Sequence, residues 1–265
     1  MPTLLDVDSV TVRFGGLVAL YDVSAAVNDG EVVGVIGPNG AGKTTLFNVI
    51  CGFIRPSSGR LSFQGKALSR HHPRQLAGLG IARTLQGLGL FPHLSVLENV
   101  MVGANRHGRS SAVAAMLASP TADRDERALR DRAMQQLESL EVSDFASRLP
   151  SQLPYGVQKR VALARALVAE PNLLLLDEPA SGLSSEEMRE LGDLIRSVRE
   201  RMSVILVEHH MDLVMQVCDR IVVLDFGRVI ATGTPAEVRD DPAVLEAYLG
   251  EHVSSETHGV ADAVD

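Results

Sequence analysis

Residues 4–12 and 17–27 alternate apolar and polar side chains loosely, the period of strands with one buried face. An Asp29-Gly30 turn then leads into EVVGVIG at 31–37, an almost unbroken apolar run that predicts a fully buried strand. A short helix to about Gly52 and a strand at 59–64, after Pro56 and Gly59, are predicted next. Between 95 and 170 the period becomes helical. LSVLENVMVGANR, SAVAAMLAS and DRDERALRDRAMQQLESLEV carry it, with Thr121 or Asp123 as the expected cap of the last. Short apolar runs with polar ends return in NLLLLDEP at 172–179, MSVILVEHH at 202–210 and RIVVLDFG at 220–227, separated by helical stretches at 184–201 and 210–218. This alternation predicts an α/β fold: a mostly parallel sheet covered on both faces, an N-terminal antiparallel β region and an inserted helical subdomain. The expected organisation is a core of 1–85 and 171–250, a helical subdomain of 86–170 with Pro154 suiting a helix start, and a polar, mobile tail at 251–265.

A hydrophobic fraction of 45% over 265 residues supports a sizeable core and excludes a disordered chain. The net charge of −8 lacks the basic excess of a protein that tracks nucleic-acid phosphates. No apolar run approaches the ~18 residues of a membrane span, and Asp6 and Asp8 stand where a signal peptide needs basic charge, so a cytoplasmic location is expected. SAVAAMLAS is too short to span and reads as helix packing, while DRDERALRDR interleaves both signs at i,i+4 as a solvated face does. Cys51 and Cys218 are isolated and lack metal spacing, which predicts reduced thiols in the core. Only three lysines are present, Lys43, Lys66 and Lys159, so a lysine inside a glycine-rich loop calls for a reason.

GPNGAGKT at 37–44 has the form G-x-x-x-x-G-K-[ST], following a predicted strand and opening a predicted helix. Gly37, Gly40 and Gly42 permit the turns that aim successive N–H groups inward along Gly37, Asn39, Gly40, Ala41 and Gly42, and the helix N-terminus adds partial positive charge. Such a nest holds a polyphosphate and defines a P-loop NTPase core. Lys43 can reach the terminal phosphates, the Thr44 hydroxyl is placed to ligate Mg2+, and Thr45 suits the α-phosphate region.

Four leucines precede Asp177 and Glu178, which a doubly buried strand would deliver to the carboxyl edge of the sheet, where ligands bind. Asp177 can hold the magnesium and Glu178 can polarise an attacking water. The apolar run VILV ends at Glu208 and His209, placing an imidazole on the same rim, either as a structural side chain or as a γ-phosphate partner.

Read in order, the phosphate loop, Gln86, LPYGVQKRVALARAL at 153–167, LLLLDEP and His209 resemble the nucleotide-binding subunit of ABC transporters over nearly the whole chain. The resemblance implies a head-to-tail dimer, homomeric or with a second ABC ATPase, that sandwiches two ATP molecules between one subunit's phosphate loop and the other's signature segment. It assigns Phe14 to adenine stacking, with core packing as the alternative, and Gln86 to magnesium sensing and the membrane subunits. Tyr155 and Gly156 belong to the signature, whose helix N-terminus suits an anion. This signature departs from the usual LSGGQ: Pro154 replaces the serine and so lacks both hydroxyl and N–H, and Val157 replaces a glutamine. Ser184 stands where many members carry an aspartate, and His210 where an aspartate is usual.

RFGGLVAL, RTLQGLGLFPHLSVLENVMVG, EHHMDLVMQVCDRIVVLDFG and the ending GTPAEVRDDPAVLEAYLGE resemble the ATPases of branched-chain amino-acid importers. That implies an ATPase peripheral on the inner face of the cell membrane, working under two permease subunits supplied by an external binding protein, with the coupling groove beside Gln86 and Leu90 to Leu97. Lipopolysaccharide-export and urea-importer ATPases share part of the pattern. Pro154 and Ser184 also suit a slowly hydrolysing, nucleotide-gated clamp, whereas a repair or translation ATPase would carry paired cassettes or a long coiled-coil insert, which this chain lacks.

Overall fold

The structure, a computed structural model, describes residues 2–68, 70–84, 88–104 and 120–248. Gln86, the SAVAAMLAS stretch and the tail at 251–265 lie outside the described residues. Ten strands are present among those described: β1 (Thr3–Phe14), β2 (Leu17–Asn28), β3 (Val32–Ile36), β4 (Ser58–Phe63), β5 (Lys66–Ala67), β6 (Ile81–Arg83), β7 (Leu173–Asp177), β8 (Ser203–Val207), β9 (Arg220–Asp225) and β10 (Arg228–Gly233). The chain forms two compact units, one of Met1–Arg74 with Gly192–Asp265 and the other of Gln75–Leu191.

In the first unit, β1 and β2 form a long antiparallel hairpin closed by Gly15 and Gly16, with β4 and β5 continuing the sheet in the order β2-β1-β4-β5. Val7, Val10, Val12, Leu20 and Val23 turn one face into the core. All five residues of β3 and of β8 are buried, as strands with both faces covered require. They pair in parallel, β9 pairs in parallel with the other edge of β3, and β10 adds an antiparallel edge through the Phe226-Gly227 turn. The entry to β3 is held by charge: the Arg220 guanidinium reaches both oxygens of Glu31, at 2.8 and 3.0 Å, and donates to the Ala26 carbonyl at 2.6 Å. Bidentate pairing of this kind fixes position as well as adding energy.

The helix Met211–Val217 can lie close on β3 because Gly34 is there. A Cβ at Gly34 would approach Cys218 Sγ to 2.9 Å. Both cysteines are free and buried, and burial pushes the Cys218 thiol up to about 12.

In the second unit β6 and β7 pair in parallel, Arg83 opposite Leu175, beside the helices Val96–Gly103, Pro120–Ser139 and Tyr155–Leu167. Val100, Ala133, Leu137, Val161 and Ala164 form its fully buried centre. Any side chain at Gly103 would overlap the Arg165 carbonyl, so two helices meet backbone to backbone there. The helix Val96–Gly103 opens on a capping box between Ser95 and Glu98, which holds the Glu98 carboxyl below its usual range. One expected helix start is displaced: the long helix is Pro120–Ser139, so Thr121 and Asp123 lie in its first turn rather than at its cap. Pro154 stands where a helix start was expected, in the extended cap position (φ −55°, ψ 151°) before Tyr155.

Candidate functional site

Three glycines give the phosphate loop its shape, two of them by close approach. Gly37 sits at φ +146° and any Cβ there would overlap the Leu224 carbonyl oxygen. Gly42, at φ +104°, caps the helix Lys43–Ile50 and lies against Leu20 and Ala19 of β2. The loop is anchored from outside as well: Gly227 donates to the Ala41 carbonyl at 3.0 Å and accepts from the Tyr21 N–H at 2.7 Å. Gly227 was not expected from the sequence as part of this construction; its neighbour Phe226 is 88% exposed at the turn. Asn39 and Gly40 are exposed, as is Thr44, while Thr45 is half-buried. Lys43 Nζ curls back onto the Gly37 and Pro38 carbonyls, at 2.7 and 2.8 Å. An ammonium held by neutral carbonyls forms stronger hydrogen bonds with an incoming phosphate.

Because Val35 lies opposite Val207 in the parallel β3–β8 pair, the phosphate loop and the Glu208-His209 segment leave the same end of the sheet. Glu208 is fully buried, and its Oε2 accepts the N–H groups of His209 and His210 at 3.0 and 3.2 Å. The His209 ring is thereby held at the surface, 55% exposed, with Nδ1 at 3.7 Å from the same carboxylate oxygen. Phe14 is half-exposed at the tip of the β1–β2 hairpin, paired with Leu17, so core packing does not account for it.

In the second unit, the Asp177 carboxylate at the end of β7 is almost fully buried and receives Arg83 NH2 at 2.8 Å. Arg83 lies 94 positions away in sequence, on a three-residue strand too short to show a period, and nothing in the local pattern pointed to it. Truncating it to Met is expected to strand a buried carboxylate, destabilising the protein by about 3 kcal/mol in urea denaturation, with Arg83→Lys milder. An unchanged denaturation midpoint would refute this.

Glu178 follows in the left-handed region, φ +47°, which an ordinary side chain adopts only when its surroundings compel it. Lys159 Nζ donates to the Pro179 carbonyl at 2.7 Å and to that of Glu178 at 3.4 Å. Tyr155 is 44% exposed at the helix N-terminus and packs on Gly182; the Glu187 carboxylate lies over Gly156. Ser184 and Glu187 cap the helix Ser185–Arg199 reciprocally, holding the Glu187 carboxyl below its usual range.

The loop before the helix Val96–Gly103 is built on Asn99, another residue the sequence did not mark. Fully buried, it accepts the Phe91 N–H and donates to the carbonyls of Phe91, Leu94 and Ser95. Phe91 is presented 47% exposed, beneath the Arg165 guanidinium, whose other contacts are the Leu88 and Gly89 carbonyls. Leu90 is half-buried and Leu97 is buried.

A P-loop, a strand-borne Asp-Glu pair and a helix-initiating signature on an α/β frame define an ATPase of membrane transport, and the chain belongs to the ABC transporter family, whose profile matches residues 20–181. Residues 228–254 match a second profile, that of the branched-chain amino acid ATP-binding cassette transporter. The chain is 40% identical over 250 residues to the high-affinity branched-chain amino acid transport ATP-binding protein BraF of Pseudomonas aeruginosa, covering 94% of this chain and 98% of that one. Among solved structures, the ADP conformation of an ATP-binding cassette of an ABC transporter superposes with a TM-score of 0.82 at 31% identity, covering 95% of this chain and all of the other. A dimeric cassette in a post-hydrolysis state, bound to ADP and Pi, gives 0.74 at 27% identity, covering 88% and 99%. No helix among the described residues is long and apolar enough to cross a membrane.

Proposed function

We propose that this ATPase powers the uptake of branched-chain or other hydrophobic amino acids through two permease subunits, to which an external binding protein delivers the substrate. The observation that carries this reading is the match of residues 228–254 to the branched-chain profile, because the catalytic segments are common to ABC ATPases of every substrate. The transported molecule touches the permease, so the C-terminal segment and the Phe91 loop carry the information about which permease is served. The protein works from the inner face of the cell membrane, as a dimer with itself or with a second ABC ATPase.

Each residue then has a task. Phe14 stacks on adenine, and Gly37, Asn39, Gly40, Ala41 and Gly42 aim backbone N–H groups at the phosphates, with Thr45 beside the α-phosphate. Lys43 exchanges its two carbonyls for phosphate oxygens, and His209, oriented through Glu208, meets the γ-phosphate. Thr44 and Asp177, with Gln86, serve the metal: hydroxyl, carboxylate and amide oxygens are the donors that hard Mg2+ takes, and Asp177 would share its carboxylate between the ion and Arg83. When bound, the ion neutralises charge on the phosphates. Glu178 takes a proton from the attacking water as its oxygen bonds to the γ-phosphorus, and the bond to the bridging oxygen breaks to release ADP. Tyr155 and Gly156 meet the nucleotide of the partner subunit. Pro154 weakens that contact, since it offers neither hydroxyl nor N–H.

ATP binding closes the dimer and hydrolysis reopens it, driven by the difference in nucleotide affinity between the two states. The test is uptake into vesicles holding the permease pair and this ATPase. Leucine delivered by its binding protein is expected to accumulate only with ATP and to raise the hydrolysis rate. Transport of urea instead, or hydrolysis indifferent to the loaded binding protein, would overturn the substrate assignment.

A further inference from the structure

The first turns of the helix Tyr155–Leu167 are fastened to the segment that follows β7 at four places. Tyr155 covers Gly182, which has φ +75° and where a Cβ would come 2.9 Å from the ring. Glu187 lies over Gly156, and Arg160 pairs with Glu190. The fourth is Lys159, whose ammonium draws together the carbonyls of Glu178 and Pro179, while the Glu178 carbonyl also accepts from the Ser181 N–H at 3.2 Å. An ammonium has three donors and can hold both oxygens at once. These bonds close a tight turn around Glu178, the residue held at φ +47°. Lys159 therefore joins the helix that presents the signature to the backbone that aims Glu178.

We propose that Lys159 is a positioning residue that ties the signature segment to Glu178 of the same subunit, and so couples the two nucleotide sites of the dimer. The inference rests on the function proposed above. There the signature of one subunit meets the partner's ATP, whereas its Glu178 serves its own. Engagement of the signature steadies the helix N-terminus, Lys159 passes that to the Glu178-Pro179 carbonyls, and the base is set only when the neighbouring site is filled.

The test compares unmodified transporter with Lys159→Met and Lys159→Arg, measuring hydrolysis against ATP concentration. Lys159→Met is expected to lower kcat by about tenfold to a hundredfold, the scale of a small misplacement of a reacting group, with KM within about twofold. Its Hill coefficient should fall to about 1, as coupling between sites is lost. Lys159→Arg, which still reaches two carbonyls, should restore most of both. Wild-type turnover in Lys159→Met, a lowered kcat with undiminished cooperativity, or no recovery with arginine would each overturn the proposal. ATP titration of Lys159→Met checks that its own phosphate loop still binds. Failure of the underlying function shows differently, as an unmodified transporter that does not hydrolyse ATP.

Discussion

Glu178→Gln is expected to reduce steady-state ATP hydrolysis by roughly 10²- to 10⁴-fold while leaving ATP affinity within a few-fold of wild type. The amide matches the carboxylate in size but cannot accept the proton that water must shed. The backbone conformation should survive, because the hydrogen bonds that hold φ at +47° run to the main-chain oxygens of Glu178 and Pro179 and not to the side chain. Phosphate release and nucleotide titration, run on the same preparation, decide the matter. Substantial turnover in the variant would remove Glu178 from the role of general base and leave the water to be activated elsewhere.

Gly37→Ala should do more damage than its size suggests. The added methyl would overlap the Leu224 carbonyl, and φ +146° is closed to an L side chain in any case. Leu224 lies in β9, paired in parallel with β3, so neither backbone can yield without disturbing the sheet that leads into the loop. We expect a loss of roughly 3 kcal/mol or more in urea denaturation, together with loss of ATP binding. Gly40→Ala is the control. At φ +78° but in open space, it should cost only about 1 kcal/mol, and equal effects of the two substitutions would refute the steric argument.

The parts of the fold legible in the sequence are those in which burial repeats locally. β3, β7 and β8 are unbroken apolar runs because both faces are covered, and the antiparallel hairpin alternates because one face is not. β6 and β10 escaped: one spans three residues, and the other is a half-buried edge with no clean period. The phosphate loop announced itself because its glycines and lysine are adjacent. Arg83, Lys159 and Asn99 did not, because each is defined by a partner whose position no spacing encodes. Rarity was the available clue for one of them: two of the three lysines in the chain place their ammonium on loop carbonyls. Ser184, which stands where many family members carry an aspartate, is the cap of its own helix, a role any small hydroxyl at that position can fill.

The interior placement of Cys51 and Cys218 has a practical corollary. Burial pushes the Cys218 thiol well above its usual range and seals Cys51 from solvent, so neither competes for a maleimide. A single thiol engineered in place of Phe91 would thus carry a fluorophore or spin label alone, in the native background, and test whether this loop meets the membrane subunits.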